Sequence, residues 1–94
     1  MMSINIAYTQ TSQPRTVTGT VTDESGEALI GVTIMVKGTT IGVISDATGK
    51  YAISVPQNAE ILVFSFIGEV TEEIAIENDV VIDLTMKPDV LGME

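Results

Sequence analysis

A turn followed by an alternating strand, at Ser45–Pro56, limits the possible folds of this chain more than any other stretch. Asp46 has a short carboxylate that can accept hydrogen bonds from later backbone amides, and Gly49 can adopt the positive φ that closes a turn. Three apolar residues then alternate with small or polar ones: Tyr51, Ile53 and Val55. This is the period of a strand with one buried face, and Pro56 ends it because proline has no amide to donate. The stretch predicts a β-hairpin around which other strands gather.

Similar strand patterns recur about every ten residues. We predict seven strands: Thr16–Thr22, Val32–Lys37, Ile41–Ser45, Tyr51–Val55, Ile61–Phe66, Val70–Ile76 and Val80–Met86. Because no segment shows a helical period, the predicted fold is an all-β, seven-stranded sandwich of two sheets with Greek-key connections. The fifth strand is apolar on both faces, so we expect it in the middle of its sheet. The seventh strand is expected to bury one face: Val80, Ile82, Leu84 and Met86.

The length of 94 residues fits one domain. We divide it into a leader at 1–15, a β-sandwich at 16–89 and a tail at 90–94. Two readings of the leader stay open: the end of a signal peptide whose upstream part is missing, with a mature start near Tyr8–Gln10, or a flexible extension. The apolar residues of Ala28–Gly31, between the first two strands, are expected to tuck against the core.

Composition excludes several functions. The chain has no cysteine, histidine or tryptophan, so it has no disulfide framework and no serine–histidine nucleophile of its own. A net charge of −9 argues against binding to nucleic acid or to anionic lipid. The longest apolar run, Ile61–Phe64, is far shorter than the ~18 residues that a membrane-spanning helix needs.

Acidic residues in two turns raise the possibility of a calcium site: Asp23, Glu24, Glu27 and Asp46. A calcium loop needs acids at alternating positions and a closing glutamate, whereas the Asp46 turn places Lys50 and Tyr51 where ligands should be. Asp23–Gly26 repeats the spacing of Asp46–Gly49, and turn capping explains both residue types. We therefore predict no metal and no cofactor.

No catalytic residues are predicted either, so the chain is not expected to be an enzyme. Glu72 and Glu73 are neighbours in a strand, face opposite ways and cannot form an acid–base pair with each other. Three lysines stand at turns or strand ends, where solvation is the default: Lys37, Lys50 and Lys87. Three aromatic residues at strand period are expected to pack in the core: Tyr51, Phe64 and Phe66.

Four threonines share the outer face of the first strand: Thr16, Thr18, Thr20 and Thr22. They are consistent with an edge strand that pairs with another chain segment. The simpler interpretation is the β-propensity of threonine on a solvent-facing surface, and both readings stay open.

The order of four motifs resembles the carboxypeptidase-regulatory-like domain, in the version found in SusC-type TonB-dependent outer-membrane receptors of Bacteroidetes. The motifs are the segments Val17–Gly26, Leu29–Thr40, Ser45–Pro56 and Leu62–Gly68. The resemblance runs from about Val17 to Asp89. It implies a prealbumin-like sandwich on the periplasmic side of the outer membrane, ahead of the TonB-box, plug and barrel of an importer of glycans or other large nutrients.

The same resemblance implies a non-catalytic accessory role. The expected partners are the plug and barrel of its own receptor chain, and the TonB machinery or a SusD-like lipoprotein. Transthyretin-like hydroxyisourate hydrolases share the sandwich but rely on histidine, which this chain lacks. The alternative function is a structural spacer in another secreted or surface protein, such as a hydrolase or an adhesin.

Two departures from the family pattern bear on these expectations. Glu69 follows the Ile67–Gly68 pair where the family commonly has an aromatic residue, which weakens a docking role for that corner. The sequence reaches only Leu91–Glu94, about where the TonB-box would begin, so we expect an excised domain that does not transport by itself.

Overall fold

The computed structural model describes residues 14–90, which form seven strands. The strands are β1 (Arg15–Thr22), β2 (Thr33–Val36), β3 (Gly42–Ile44), β4 (Lys50–Val55), β5 (Ile61–Ser65), β6 (Glu72–Ala75) and β7 (Leu84–Thr85). Each observed strand lies inside a predicted strand or extends at most one residue beyond it. The described residues contain no helix, and therefore none that would be long and apolar enough to cross a membrane. The leader up to residue 13 and the tail from residue 91 lie outside the described residues.

The strands form a β-sandwich, as predicted. One sheet has the order β4-β1-β7 and the other the order β3-β2-β5-β6. The chain crosses between the sheets after β1, β3, β4 and β6, so most sequential strands lie in opposite layers. β5 lies between β2 and β6, which confirms the central position expected from its two apolar faces.

The core lies between the sheets and is built from alternate residues of the strands. Tyr51, Ile53 and Val55 of β4 are buried, while the residues between them are exposed. Phe64 of β5 is fully buried and meets Tyr51 edge to face, with ring centroids 5.6 Å apart. This geometry suits the quadrupoles of two aromatic rings and joins the two sheets at the centre of the core.

The predicted hairpin is wrong in one respect. The turn forms as expected, but the strands that it joins do not pair: β3 pairs with β2, and β4 pairs with β1. The turn is therefore a crossover between sheets. Gly49 has a φ of 78°, and a Cβ there would lie 2.6 Å from the carbonyl oxygen of Val21, so the crossover packs directly against β1.

Of the two readings of β1, the edge strand is excluded. β1 pairs with β4 along its whole antiparallel register from Arg15 to Thr20, and its other side pairs in parallel with β7. The threonines lie on the outer face of a central strand, so the structure supports the interpretation based on β-propensity. The edges of this sheet belong to β4 and β7.

The seventh strand is shorter than predicted. Regular pairing is limited to Leu84–Thr85, with a separate parallel bridge between Val81 and Thr18. Ile82 and Met86 are buried as expected, but Val80 is 57% exposed. In the connection before β2, Leu29 packs against the core whereas Ile30 is 59% exposed, so only part of that segment tucks in.

Gly49 and Gly26 provide a matched test of the crossover. Both have positive φ, but a Cβ at Gly26 would meet no atom within 4 Å. Gly26→Ala should lower the free energy of unfolding by about 1 kcal/mol, from backbone strain alone. Gly49→Ala should cost about 1–3 kcal/mol more because the methyl group also clashes with β1. Urea unfolding of both variants measures this difference, and equal losses would contradict the close packing of the crossover.

Candidate functional site

The Asp46 turn is held by one carboxylate oxygen. Oδ1 of Asp46 accepts hydrogen bonds from the Thr48 amide at 2.9 Å, the Thr48 hydroxyl at 2.8 Å and the Lys50 amide at 3.0 Å. The backbone closes the same turn, since the Gly49 amide donates to the Asp46 carbonyl and the Asp46 amide to the Lys50 carbonyl. This confirms the predicted capping role of Asp46.

Asp23 builds a second loop of the same design. Its Oδ1 accepts the Ser25 amide at 2.9 Å, the Ser25 hydroxyl at 2.6 Å and the Glu27 amide at 3.0 Å. Serine in one loop stands where threonine stands in the other, so the shared pattern is aspartate, any residue, a hydroxyl residue, glycine. Sequence analysis identified the aspartate and the glycine but overlooked the hydroxyl residue between them.

The predicted metal-site acids are not brought together. Asp23 and Asp46 each direct a carboxylate oxygen at their own loop, and within residues 14–90 no three acidic residues are placed to hold a metal ion. That the protein works without a bound metal stays a prediction. Hydrogen bonds to the charged form lower the pKa of both carboxyls below the usual 3.8, with the Ser25 hydroxyl as the largest cause for Asp23 and the Thr48 hydroxyl for Asp46.

Tyr51 is a structural hydrogen-bond donor. Its hydroxyl donates to the Ile82 carbonyl at 2.6 Å, and burial, followed by the charge of Asp83, raises its pKa to about 12. Gly19 pairs with Tyr51 and lets the Ile82 backbone approach, because a Cβ at Gly19 would lie 1.9 Å from the Ile82 oxygen. A phenol in this setting stays protonated at neutral pH and is poorly suited to act as a base.

The contact of Tyr51 with Ile82 also explains the short seventh strand. The Ile82 amide donates to the Thr18 carbonyl. The Ile82 carbonyl accepts the Tyr51 hydroxyl instead of the next outward amide of β1, that of Thr20. The Thr20 amide donates instead to the Asp83 carboxylate at 2.8 Å. A side chain thus replaces one backbone acceptor, and regular pairing resumes only at Leu84.

The remaining candidate catalytic groups are spread over the surface. Glu72 and Glu73 lie opposite Phe64 and Val63 respectively, on different faces of β6, as predicted. Glu73 pairs with Lys37 at 3.0 Å, and both side chains are about half exposed. Such a pair contributes about 0–1 kcal/mol. Lys50 and Lys87 are exposed and lie elsewhere.

The outer faces of the two sheets differ in polarity, which the sequence analysis missed. The three-stranded sheet presents the threonines of β1 together with Ala52 and Ser54. The outer face of the four-stranded sheet mixes apolar and polar side chains. Met35 lies opposite Val63, Ile61 opposite Ala75 and Ile44 opposite Thr33, and the Lys37–Glu73 ion pair lies on the same face. The sequence of β5 already indicated apolar residues on the outer face, since both faces of this strand are apolar. The second apolar face was interpreted only as evidence for a central position.

Among the open hollows that the described residues line, two lie beside this outer face. One, of about 740 Å³, lies near the start of β1 and is lined mainly by polar side chains, among them Arg15, Asn58 and Asn78. Arg15 donates to the Glu77 carbonyl at 2.8 Å there. The other, of about 340 Å³, is lined by Phe66 and by Ile67, which is 90% exposed. Phe66 is thus only partly buried, in contrast to Tyr51 and Phe64.

The lowered pKa values predict an acid-sensitive contribution to stability. The charged carboxylate of Asp46 stabilises the fold above pH 3.8, and this contribution is lost as the pH falls through the lower folded pKa. Asp46→Asn keeps an oxygen acceptor but does not titrate. Its urea midpoint should therefore fall less steeply than that of the parent chain between about pH 5 and pH 2.

A charge-matched control separates this local effect from net charge. Asp79→Asn also removes one acid, but among residues 14–90 no hydrogen-bond donor contacts the Asp79 carboxylate, and its backbone amide donates to the Ile76 carbonyl. The pH slope of Asp46→Asn should be shallower than that of this control. An Asp46→Asn variant with that same slope would contradict the role assigned to the carboxylate.

Comparison with known proteins agrees with this architecture. A chain of the type II cohesin–X–dockerin complex from Acetivibrio cellulolyticus superposes with a TM-score of 0.53 at 19% identity, over 73% of this chain and 51% of that one. This likeness concerns the fold alone.

Sequence relatives are much closer. TonB-dependent receptors P39 and P3 of Formosa agariphila are 37% identical over 78 residues and 43% identical over 79, and each match covers 83% of this chain. TonB-dependent receptor SusC of Bacteroides thetaiotaomicron is 43% identical over 65 residues, or 69% of this chain. The matched part amounts to only 8%, 8% and 6% of those receptors.

The sequence profile of the CarboxypepD_reg-like domain matches residues 17–94. This match covers both aspartate loops and every strand from β2 to β7. The resemblance expected from the four motifs is confirmed, and the chain belongs to the carboxypeptidase-regulatory-like domain family, in the form carried by SusC-type TonB-dependent receptors.

Proposed function

We propose that this chain is a non-catalytic accessory domain of a TonB-dependent importer of glycans or other large nutrients, on the periplasmic side of the outer membrane. The observation that carries the proposal is the 43% identity to TonB-dependent receptor P3 over 83% of this chain. Since that match is 8% of the receptor, the chain corresponds to one small module of a much longer protein. Transport itself then belongs to the rest of the receptor.

The non-catalytic part of the proposal is supported by how the reactive side chains are used. Asp23 and Asp46 hold loops, Tyr51 holds the Ile82 backbone, and Lys37 pairs with Glu73. These groups are dispersed, and the hydrogen bonds that occupy them stabilise the fold. General acid–base catalysis needs groups that converge on one substrate.

An interaction role is supported by the uneven surface. The outer face of the four-stranded sheet carries exposed apolar side chains beside the Lys37–Glu73 pair, among them Ile44, which is 66% exposed. The outer face of the other sheet carries the threonines of β1. A domain that acts only as a spacer has no need of this asymmetry, because exposed apolar surface lowers solubility. We assign the contacts to the plug and barrel of the same receptor, with the TonB machinery or a SusD-like lipoprotein as further partners.

Placement can be tested by labelling in cells. The chain has no cysteine, and Ala47 is exposed at the tip of the Asp46 loop. Ala47→Cys in the full-length receptor should react with a membrane-impermeant maleimide only after the outer membrane is permeabilised, with the unsubstituted receptor as the control. Labelling on intact cells would contradict the periplasmic position.

The accessory role is tested by removing residues 16–89 from the same receptor. We expect cells to keep surface binding of the polysaccharide that induces the receptor and to lose uptake, measured as growth on that polysaccharide. Unchanged growth would contradict the accessory role. A full-length protein that lacks a barrel would favour the spacer of a hydrolase or adhesin.

A further inference from the structure

The sandwich has four edge strands, and they differ in how they are protected. In the first sheet they are β4 and β7, and in the second β3 and β6. An open edge presents unpaired backbone groups that another strand can bind, and proteins usually shorten such edges or place charges on them. β7 has two residues, and β3 has three of which one is Gly42. β6 carries Glu72 and Glu73.

β4 lacks these protections beyond its first residue, Lys50. It has six residues in continuous register with β1. Its exposed face carries Lys50, Ala52 and Ser54, so the residues beyond Lys50 are small and uncharged. Neither proline nor an acidic residue lies inside the strand, and Pro56 follows only after its end.

The register shows which backbone groups point away from the sheet. The Val21 amide donates to the Gly49 carbonyl, and Gly19 lies opposite Tyr51. Hydrogen-bonded pairs alternate along an antiparallel ladder, so Tyr51, Ile53 and Val55 bond to β1. The amides and carbonyls of Ala52 and Ser54 point outward, and the described residues provide no partner for them. Those of Lys50 are taken by Asp46.

We propose that this β4 edge binds an extended segment of another polypeptide, which adds as a strand beside Ala52 and Ser54. Two donors and two acceptors alternating at strand spacing match the backbone of an extended chain. The Asp46 loop and Pro56 bound the site, so a short segment fills it. The small side chains of Ala52 and Ser54 leave room on the outer face for larger residues of the incoming strand.

Charge sets the chemistry of the partner. The domain has thirteen acids and four bases, and Lys50 is the one charged residue on β4. A basic segment meets an attractive long-range field, whereas an acidic one is repelled. A second copy of this chain also has a net charge of −9, so the two copies repel each other. Pairing of two β4 strands would form only a few backbone hydrogen bonds around Ile53, and self-pairing through β4 is therefore disfavoured.

This inference gives a partner chemistry to the interaction role proposed above and rests on it for its biological meaning. The edge itself is testable with the 94-residue chain alone. If no peptide binds to β4, the results of the labelling and uptake experiments are unaffected. If those experiments contradict the proposed function, the result of the binding test still stands.

The test is a nuclear magnetic resonance titration with a synthetic probe, an end-blocked peptide of sequence Lys-Val-Thr-Val-Lys-Val-Thr. We expect saturable shifts centred on the amides of Ala52 and Ser54, with slower hydrogen exchange at both. The version with glutamate for lysine should bind at least about 10-fold more weakly. Shifts centred on β6, no saturable binding, or equal affinity for the two peptides would overturn the proposal.

Two proline variants make a matched pair. Proline is tolerated on an edge strand where the amide faces outward, and it removes the donor that an added strand needs. Ala52→Pro should weaken binding at least about 10-fold. Ala75→Pro makes the same change on β6, where the Ile76 amide bonds to Glu60 and the Ala75 amide points outward, and should leave binding unchanged. Equal binding by both would overturn the assignment to β4.

Dimerisation is the remaining outcome. If the chain alone forms a dimer at high concentration and slows the exchange of Ala52 and Ser54, the occupant is a second copy, and the partner proposed here is wrong. Monomeric behaviour by analytical ultracentrifugation across the titration range supports the proposal. The shift map of the parent chain remains decisive if either proline variant fails to fold.

Discussion

The five-residue loop from Asp46 to Lys50 is the constraint on which the rest of the structure depends. One carboxylate oxygen takes three hydrogen bonds, and Gly49 packs against the Val21 carbonyl where a side chain would not fit. The chain thereby moves from the four-stranded sheet to the three-stranded sheet within the loop. β3 and β4 face each other across the sandwich as a result, and each becomes the edge of its own sheet.

The second aspartate loop supports the first. It ends next to Ala28, which forms a bridge with Thr22, and the Cβ of Ala28 is 3.1 Å from where a Cβ of Gly49 would lie. On the other side of β1, Gly19 lets the Ile82 backbone approach the Tyr51 hydroxyl. Small residues on β1 and in the Asp46 loop thus admit backbone contacts on both sides, and the polar groups involved are satisfied within the fold rather than directed at a ligand.

Sequence patterns predicted the local structure well and the pairing poorly. Alternation located the buried residues of β4, and the aspartate and glycine spacing located both turns. A hairpin and a crossover can share the same local turn, however, so the sequence around Asp46 did not reveal that β3 and β4 lie in different sheets. The sequence left open whether β1 is an edge, because the parallel partner Leu84 lies far away in the sequence and pairing across such a distance depends on the whole fold. The short β7 follows from the Tyr51–Ile82 contact, which no local pattern encodes.

For function, the motifs were more informative than the chemistry of any residue. They identified the family, whereas the hydrogen bonds of Asp23, Asp46 and Tyr51 hold the fold together. β1 lies between β4 and β7 and is therefore excluded as an edge. The same strand order makes β4 an edge, so strand addition is considered there instead. The proposed accessory role would be carried out through surfaces, and among residues 14–90 one regular strand presents unused backbone groups beside small, uncharged side chains.

Amide hydrogen exchange along β4, measured on the chain alone by nuclear magnetic resonance, tests this account most directly. We expect slow exchange at Tyr51, Ile53 and Val55, whose amides face β1, and fast exchange at Ala52 and Ser54, whose amides face outward. Uniformly slow exchange along the strand would contradict the account, because the edge would then already be covered.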